Sequence, residues 1–171
     1  MPEARGPRGL EIADAKTEAH RQVSPGCWSQ DGRPTSQTFK PRTSDGGLLS
    51  LTRGGEPPAD EPDRLKHTMR TAKGAWEFAT EVTNLKSLGS MSVSVGDFNQ
   101  VAMGIHARVF ADPSTVAEDG FDDLAHLVAD YRALSRGQID KLASALRQTA
   151  GSFSFAAPPP ADAGTPPPAP S

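Results

Sequence analysis

The sequence predicts an α+β domain, with a small antiparallel or mixed sheet of about five strands and two helices packed on one face. Three observations carry this. Met91–Val95 alternates apolar and serine residues strictly, the pattern of a half-buried strand. Leu134–Ala150 carries Ile139, Leu142, Ala143 and Leu146 at spacings of three and four, the stripe of an amphipathic helix. Strand-like and helix-like stretches then follow one another in mixed order, without a regular β-α-β alternation.

Taken in order, Met1–Lys16 is rich in charge, glycine and proline, and residues 1–16 are expected to be disordered. A single domain is expected over 17–151. Ala19–Ser24 is a candidate first strand. Pro25-Gly26 and Asp31-Gly32 are turn signals. Phe39 is expected as a buried ring, and Pro41 holds Lys40 extended. Ser44–Gly47 is a further turn, and Leu48–Thr52 the second strand. Gly54–Asp63 is crowded with proline and acid, and is expected as a flexible loop over 54–63.

Thr68–Val82 reads as a helix, with Met69, Ala72, Trp76, Ala79 and Val82 on one face. Gly74 weakens it by about 1 kcal/mol relative to Ala. The alternating strand Met91–Val95 follows. Val101–Phe110 reads as another, best over Ile105–Phe110, with Ile105, Ala107 and Val109 on one face. Ser114–Asp123 is an acidic connection, with a helical turn as one reading of it. Leu124–Asp130 suits a last strand forming a hairpin with the previous one, with a helix as the alternative. Before the final helix, Ser135 and Gln138 have the spacing of a capping box. Arg147 near the helix end suits its dipole. The tail 152–171, with its repeated prolines, is expected as an extended coil.

Net charge is −3 with both signs interspersed, which lacks the basic stripe of a nucleic-acid binder. The single cysteine, Cys27, excludes an intrachain disulfide and fits a reducing compartment. No apolar run approaches the roughly 20 residues of a membrane helix, and no secretory signal pattern opens the chain. A cytoplasmic protein is the expectation.

The segments HRQVSPGCWSQDGRPTSQTFKP, DGGLLSL, SVSVG, HLVADY and LSRGQIDKLASALR resemble a group of small, largely uncharacterised bacterial proteins. In these a His-Arg-Gln strand is followed by a DGRPTSQTFKP-type segment and a terminal helix. The resemblance covers most of Ala19–Ala150. It implies no defined activity. It implies a companion role beside larger toxins, proteases or defence effectors.

The candidate chemistry sits mainly in His20–Thr52. His20-Arg21 is either an anion-binding or catalytic pair, or a polar pair at a sheet edge. Arg33, Thr35, Ser36, Gln37 and Thr38 offer donors to a phosphate or a partner loop. Hydroxyl runs also satisfy turn backbones. Lys40 and Arg42 make this the best electropositive surface. Cys27 reads as a packed thiol. Ser50 lacks a nucleophile elbow. The histidines His20, His67, His106 and His126 form no metal motif, although His106 and His126 can meet across a hairpin. Asp122-Asp123 and Asp130 read as solvated acids or a weak cation site. No phosphate loop or dinucleotide fingerprint is present, so neither cofactor nor metal is expected.

The reading that follows is a non-enzymatic partner-binding protein: an inhibitor, an antitoxin or immunity protein, or a stabilising partner of an effector encoded in the same operon. Its contact residues are Trp28, Arg33, Ser36, Gln37, Phe39, Lys40 and Arg42. The alternative is a small NAD-dependent ADP-ribosyltransferase-like enzyme, suggested by the His-Arg strand followed by a Ser/Thr-bearing strand. Glu77 and Glu81, on the expected helix, are poorly placed for its catalytic acid.

Overall fold

The computed structural model describes residues 9–27, 29, 33–42, 45–54, 76, 88–112, 114–116, 121–123, 126–150 and 155–156. The fold is α+β. Its strands are β1 (Glu18–Gln22), β2 (Leu48–Arg53), β3 (Gly89–Ser94), β4 (Asn99–Gln100), β5 (Ile105–His106), β6 (Arg108–Ala111), β7 (Ser114–Val116), β8 (Phe121–Asp123) and β9 (His126–Asp130), with helix α1 (Arg136–Ala150) and a short β10 (Phe155–Ala156). Six strands form one sheet in the order β10-β3-β1-β2-β9-β6, every neighbouring pair antiparallel.

Period-two alternation gives this sheet a strongly apolar face. Ala19 stands opposite Val93, Leu49 opposite Ala129, and Leu51 opposite Leu127. These residues join Met91, Val109, Phe39, Phe98 and Tyr131 with Leu142, Ala143 and Leu146 of α1 in one buried cluster. The helix therefore covers that face with the stripe read from its sequence, Ile139 packing at the margin. Its start is capped as the spacing predicts. The Ser135 N–H donates to Gln138 Oε1 at 2.9 Å, and the Gln138 N–H to Ser135 Oγ at 3.2 Å. The helix expected over Thr68–Val82 lies outside the described residues except for Trp76, which is helical. No helix among the described residues is long and apolar enough to cross a membrane.

Several boundaries differ from the sequence reading. Val101–Phe110 is not one strand. Val101–Met103 forms a 3-10 turn, and Ala107 leaves the ladder to donate its N–H to Phe98 O at 2.9 Å, dividing β5 from β6. Ile105, Ala107 and Val109 are nevertheless all buried. The acidic connection contains a small hairpin, β7 with β8, in which β-branched Thr115 and Val116 favour extended backbone. β9 is a strand, and it lies between β2 and β6.

Both expected disordered ends contribute backbone to the sheet. On one side Ile12 donates its N–H to Val109 O at 2.8 Å, and Ala111 donates to Leu10 O at 2.9 Å. Arg108 holds Glu11 with two bonds, at 3.0 and 2.6 Å. Gly9 fits here because a Cβ would lie 2.5 Å from Ala111 O. On the other side β10 pairs with β3, Phe155 opposite Ser90 and Ala156 opposite Gly89. The physical reason is common to both. An edge strand presents a row of backbone donors and acceptors, and a neighbouring terminal segment satisfies them regardless of its side chains.

Candidate functional site

The candidate site grows out of a split in the sheet. The β1–β2 ladder consists of Ala19 opposite Arg53 and His20 opposite Thr52. It is extended outward by Gly54 N–H donating to Glu18 O at 2.6 Å. Past His20 the two strands part. Arg21, on the core-facing side opposite Met91, bridges the opening. Its Nη1 donates to Ser50 O on β2 at 2.9 Å, and its Nε to Thr38 O at 2.8 Å.

Thr38 belongs to the 3-10 turn Ser36–Phe39, which sits over the split. Thr35 caps this turn, its Oγ1 accepting from the Gln37 N–H at 3.3 Å. The backbone of the segment is braced from three directions. Arg21 takes Thr38 O from the sheet. Tyr131 Oη donates to Phe39 O at 2.9 Å from the end of β9. Arg147 Nε donates to Pro34 O at 3.2 Å from the last turn of α1, a tertiary tie beyond its expected dipole role. A fourth link is ionic: Lys40 Nζ lies 2.8 Å from Asp140 Oδ1. Upstream, Thr35 N–H donates to Cys27 O at 2.8 Å, and Ser29 N–H to Arg33 O at 2.7 Å. Downstream, Asp45 Oδ2 accepts the Arg42 N–H at 2.7 Å. Gly46 and Gly47 then turn the chain into β2 with φ of 61° and 82°, the left-handed region that glycine tolerates.

This geometry sorts the expected contact residues. Arg33, Gln37 and Arg42 are exposed, and Ser36 is half-buried. Phe39 is 0 % exposed and belongs to the core, so it anchors the turn and cannot meet a partner. Lys40 is half-buried and committed to α1. Trp28 lies outside the described residues. His20 and Arg21 do not act as a pair, because consecutive strand residues face opposite sides of the sheet. The His20 ring is 1 % exposed, with Nδ1 2.7 Å from Ser92 Oγ on the adjacent strand. Thr38 is fully buried, and its Oγ1 has no hydrogen-bond partner among the described residues.

Charge follows burial. Removal from water pushes the Arg21 guanidinium below its ordinary value, an effect that Cys27 and Asp45 oppose and Arg42 reinforces. Burial pushes the Tyr131 phenol well up, so its proton stays on the bond to Phe39 O. Lys40 holds the Asp140 carboxyl below its ordinary value through their hydrogen bond.

The remaining candidates disperse. The β6–β9 register sets Ala111 opposite Leu127, so Asp112 and not His106 neighbours His126, with His126 Nδ1 3.2 Å from Asp112 Oδ2. Asp130 is chelated by Arg132 at 2.9 and 2.8 Å. Among the described residues no three His, Cys, Asp or Glu side chains cluster to hold a metal. Sequence reasoning missed Tyr131, Asp140 and the bracing role of Arg147. A signal existed for the first. It is the only tyrosine in the chain and directly follows the apolar strand β9. No family model, curated protein or solved structure matches this chain.

Proposed function

We propose that this chain is a non-enzymatic, cytoplasmic partner-binding protein that inhibits or stabilises another protein through the turn running from Arg33 to Arg42. The observation that carries this reading is the brace. Three carbonyls of the segment, those of Pro34, Thr38 and Phe39, each accept a donor from a different element, while Arg33, Gln37 and Arg42 remain exposed. A loop held rigid before binding loses little conformational entropy on association, and arginines are favoured anchors at protein interfaces. The single cysteine supports the reducing compartment, and the resemblance makes a product of the same operon the first partner to try. The ADP-ribosyltransferase-like alternative draws no support from His20, whose ring a nucleotide cannot reach at 1 % exposure.

The test is affinity capture of tagged full-length chain from its native cells, beside a variant carrying Arg33→Ala, Gln37→Ala and Arg42→Ala. A stoichiometric protein companion retained by the parent and lost by a variant with an unchanged thermal melt is the expected result. A companion held equally by both removes the turn from the interface. Absence of any stoichiometric companion rejects the partner-binding reading and makes incubation with labelled NAD the next assay.

A further inference from the structure

Helix α1 and the turn from Arg33 to Arg42 run alongside each other. Arg147 Nε donates to Pro34 O at 3.2 Å towards one end, and Asp140 Oδ1 meets Lys40 Nζ at 2.8 Å towards the other. On the helix these two ties are about 10 Å apart. The fold thereby joins two stretches that are each basic. Residues 33–45 and α1 together hold six arginines and lysines against two acids, in a chain whose net charge is −3. Both acids are engaged within this face, Asp140 by Lys40 and Asp45 by the Arg42 N–H, with the Arg42 Nε 3.7 Å from the same oxygen. Arg33, Arg136 and Lys141 are exposed, and among the described residues no carboxylate pairs with them.

The outer side of α1 also carries an open groove. Asp140, Lys141, Ser144, Ala145 and Gln148 line it together with Met103, around a volume of about 380 Å³. Met103 comes from the 3-10 turn between β4 and β5. It and Val101 are two of the three large apolar side chains exposed among the described residues. Asp140 belongs both to the groove and to the tie with Lys40, so the groove continues the seam between helix and turn. Its wall is apolar at Met103 and Ala145 and cationic at Lys141. Arg136 stands four residues before Asp140, on the same side of the helix.

We propose that this groove receives an acidic segment of the partner, with carboxylates at Lys141 and Arg136 and one apolar side chain seated against Met103 and Ala145. The inference rests on the partner-binding reading and names the chemistry that the partner presents. Charge complementarity selects the occupant. Unpaired cations gathered on one face of an acidic chain attract carboxylates and steer their approach. A nucleic acid is the poorer fit, because no aromatic ring among the described residues lines the groove for base stacking.

The experiment is a titration of the uniformly ¹⁵N-labelled full chain with three probes: a short Glu/Ser peptide with a central Leu, the same peptide with Ser for that Leu, and a single-stranded oligonucleotide of matched charge. Saturable amide shifts at Met103 and along Asp140–Gln148 are expected with the first, weakening as salt is raised. Replacing its Leu by Ser should weaken binding by about tenfold, the loss of one buried apolar side chain. Lys141→Glu, at an exposed helix position that suits either residue, should weaken it by about tenfold or more. Equal binding of the two peptides, tighter binding of the oligonucleotide, indifference to Lys141→Glu, or no saturable shift would overturn the proposal. So would shifts at the groove on raising the concentration of the chain alone, which assign it to a second copy. In capture from native cells, a companion kept by Lys141→Glu but lost by the Arg33, Gln37 and Arg42 variant removes the groove and leaves the partner-binding reading. Absence of any companion removes that reading, and the peptide titration then decides the groove by itself.

Discussion

At the scale of single residues, the two buried hydroxyl groups near the turn have opposite energetic roles. Tyr131 is 1 % exposed, and its hydroxyl closes the Phe39 carbonyl. Tyr131→Phe leaves that carbonyl buried and unsatisfied, so it should cost about 1–2 kcal/mol in urea denaturation. Thr38 is equally buried, but its Oγ1 satisfies nothing among the described residues. Thr38→Val, nearly the same shape with a methyl for the hydroxyl, should leave stability unchanged or raise it by up to about 1 kcal/mol in the same assay. A loss from Thr38→Val comparable to that from Tyr131→Phe would mean that the threonine hydroxyl has a hydrogen-bonding role.

At the scale of elements, the helix is tied to the turn by a charge pair whose pH dependence follows from its sign. Lys40 lowers the Asp140 pKa from its ordinary 3.8 through their hydrogen bond. A depressed carboxylate contributes stability that is present above its unfolded pKa and is lost as pH falls through its folded pKa. Asp140→Asn should therefore lower stability at neutral pH and flatten the decline from about pH 5 to about pH 2. Denaturant midpoints across that range check it. A variant with the same acid slope as the parent would show that the pair adds nothing. This pair was not legible in the sequence, because nothing local joins residue 40 to residue 140. What was legible was local. Alternation marked β3, the Ser135/Gln138 spacing marked the start of α1, and Asp-Gly-Gly marked the turn into β2. Phe39 was legible as a core ring, but its neighbours were then read together as a surface. The bonds from Arg21 and Tyr131, which join residues distant in sequence, show that the same segment has a buried side and an exposed side.

At the scale of the molecule, the terminal segments are what finish the sheet. Composition marked both ends as coil, since neither contains enough apolar residues to bury itself. Backbone pairing does not depend on that, and Leu10–Ile12 lines β6 while β10 lines β3. Removing residues 1–12 should uncover the β6 edge and promote edge-to-edge association. Analytical ultracentrifugation of the truncated and full chains at equal concentration checks this, and an unchanged mass distribution would count against it.

The strand order has a kinetic consequence. β1 pairs along its whole length with β3, about seventy residues away, and β2 with β9, about eighty residues away. Loops of that size must close before their ladders return any energy, which places such chains among the slower-folding small domains. During synthesis, β2 emerges long before β9. Its apolar Leu48, Leu49 and Leu51 wait without their eventual neighbours until residue 130 clears the ribosome. The vulnerable species for this protein is therefore the nascent chain, and its yield in the cell should respond to chaperone supply more than to the stability of the finished fold.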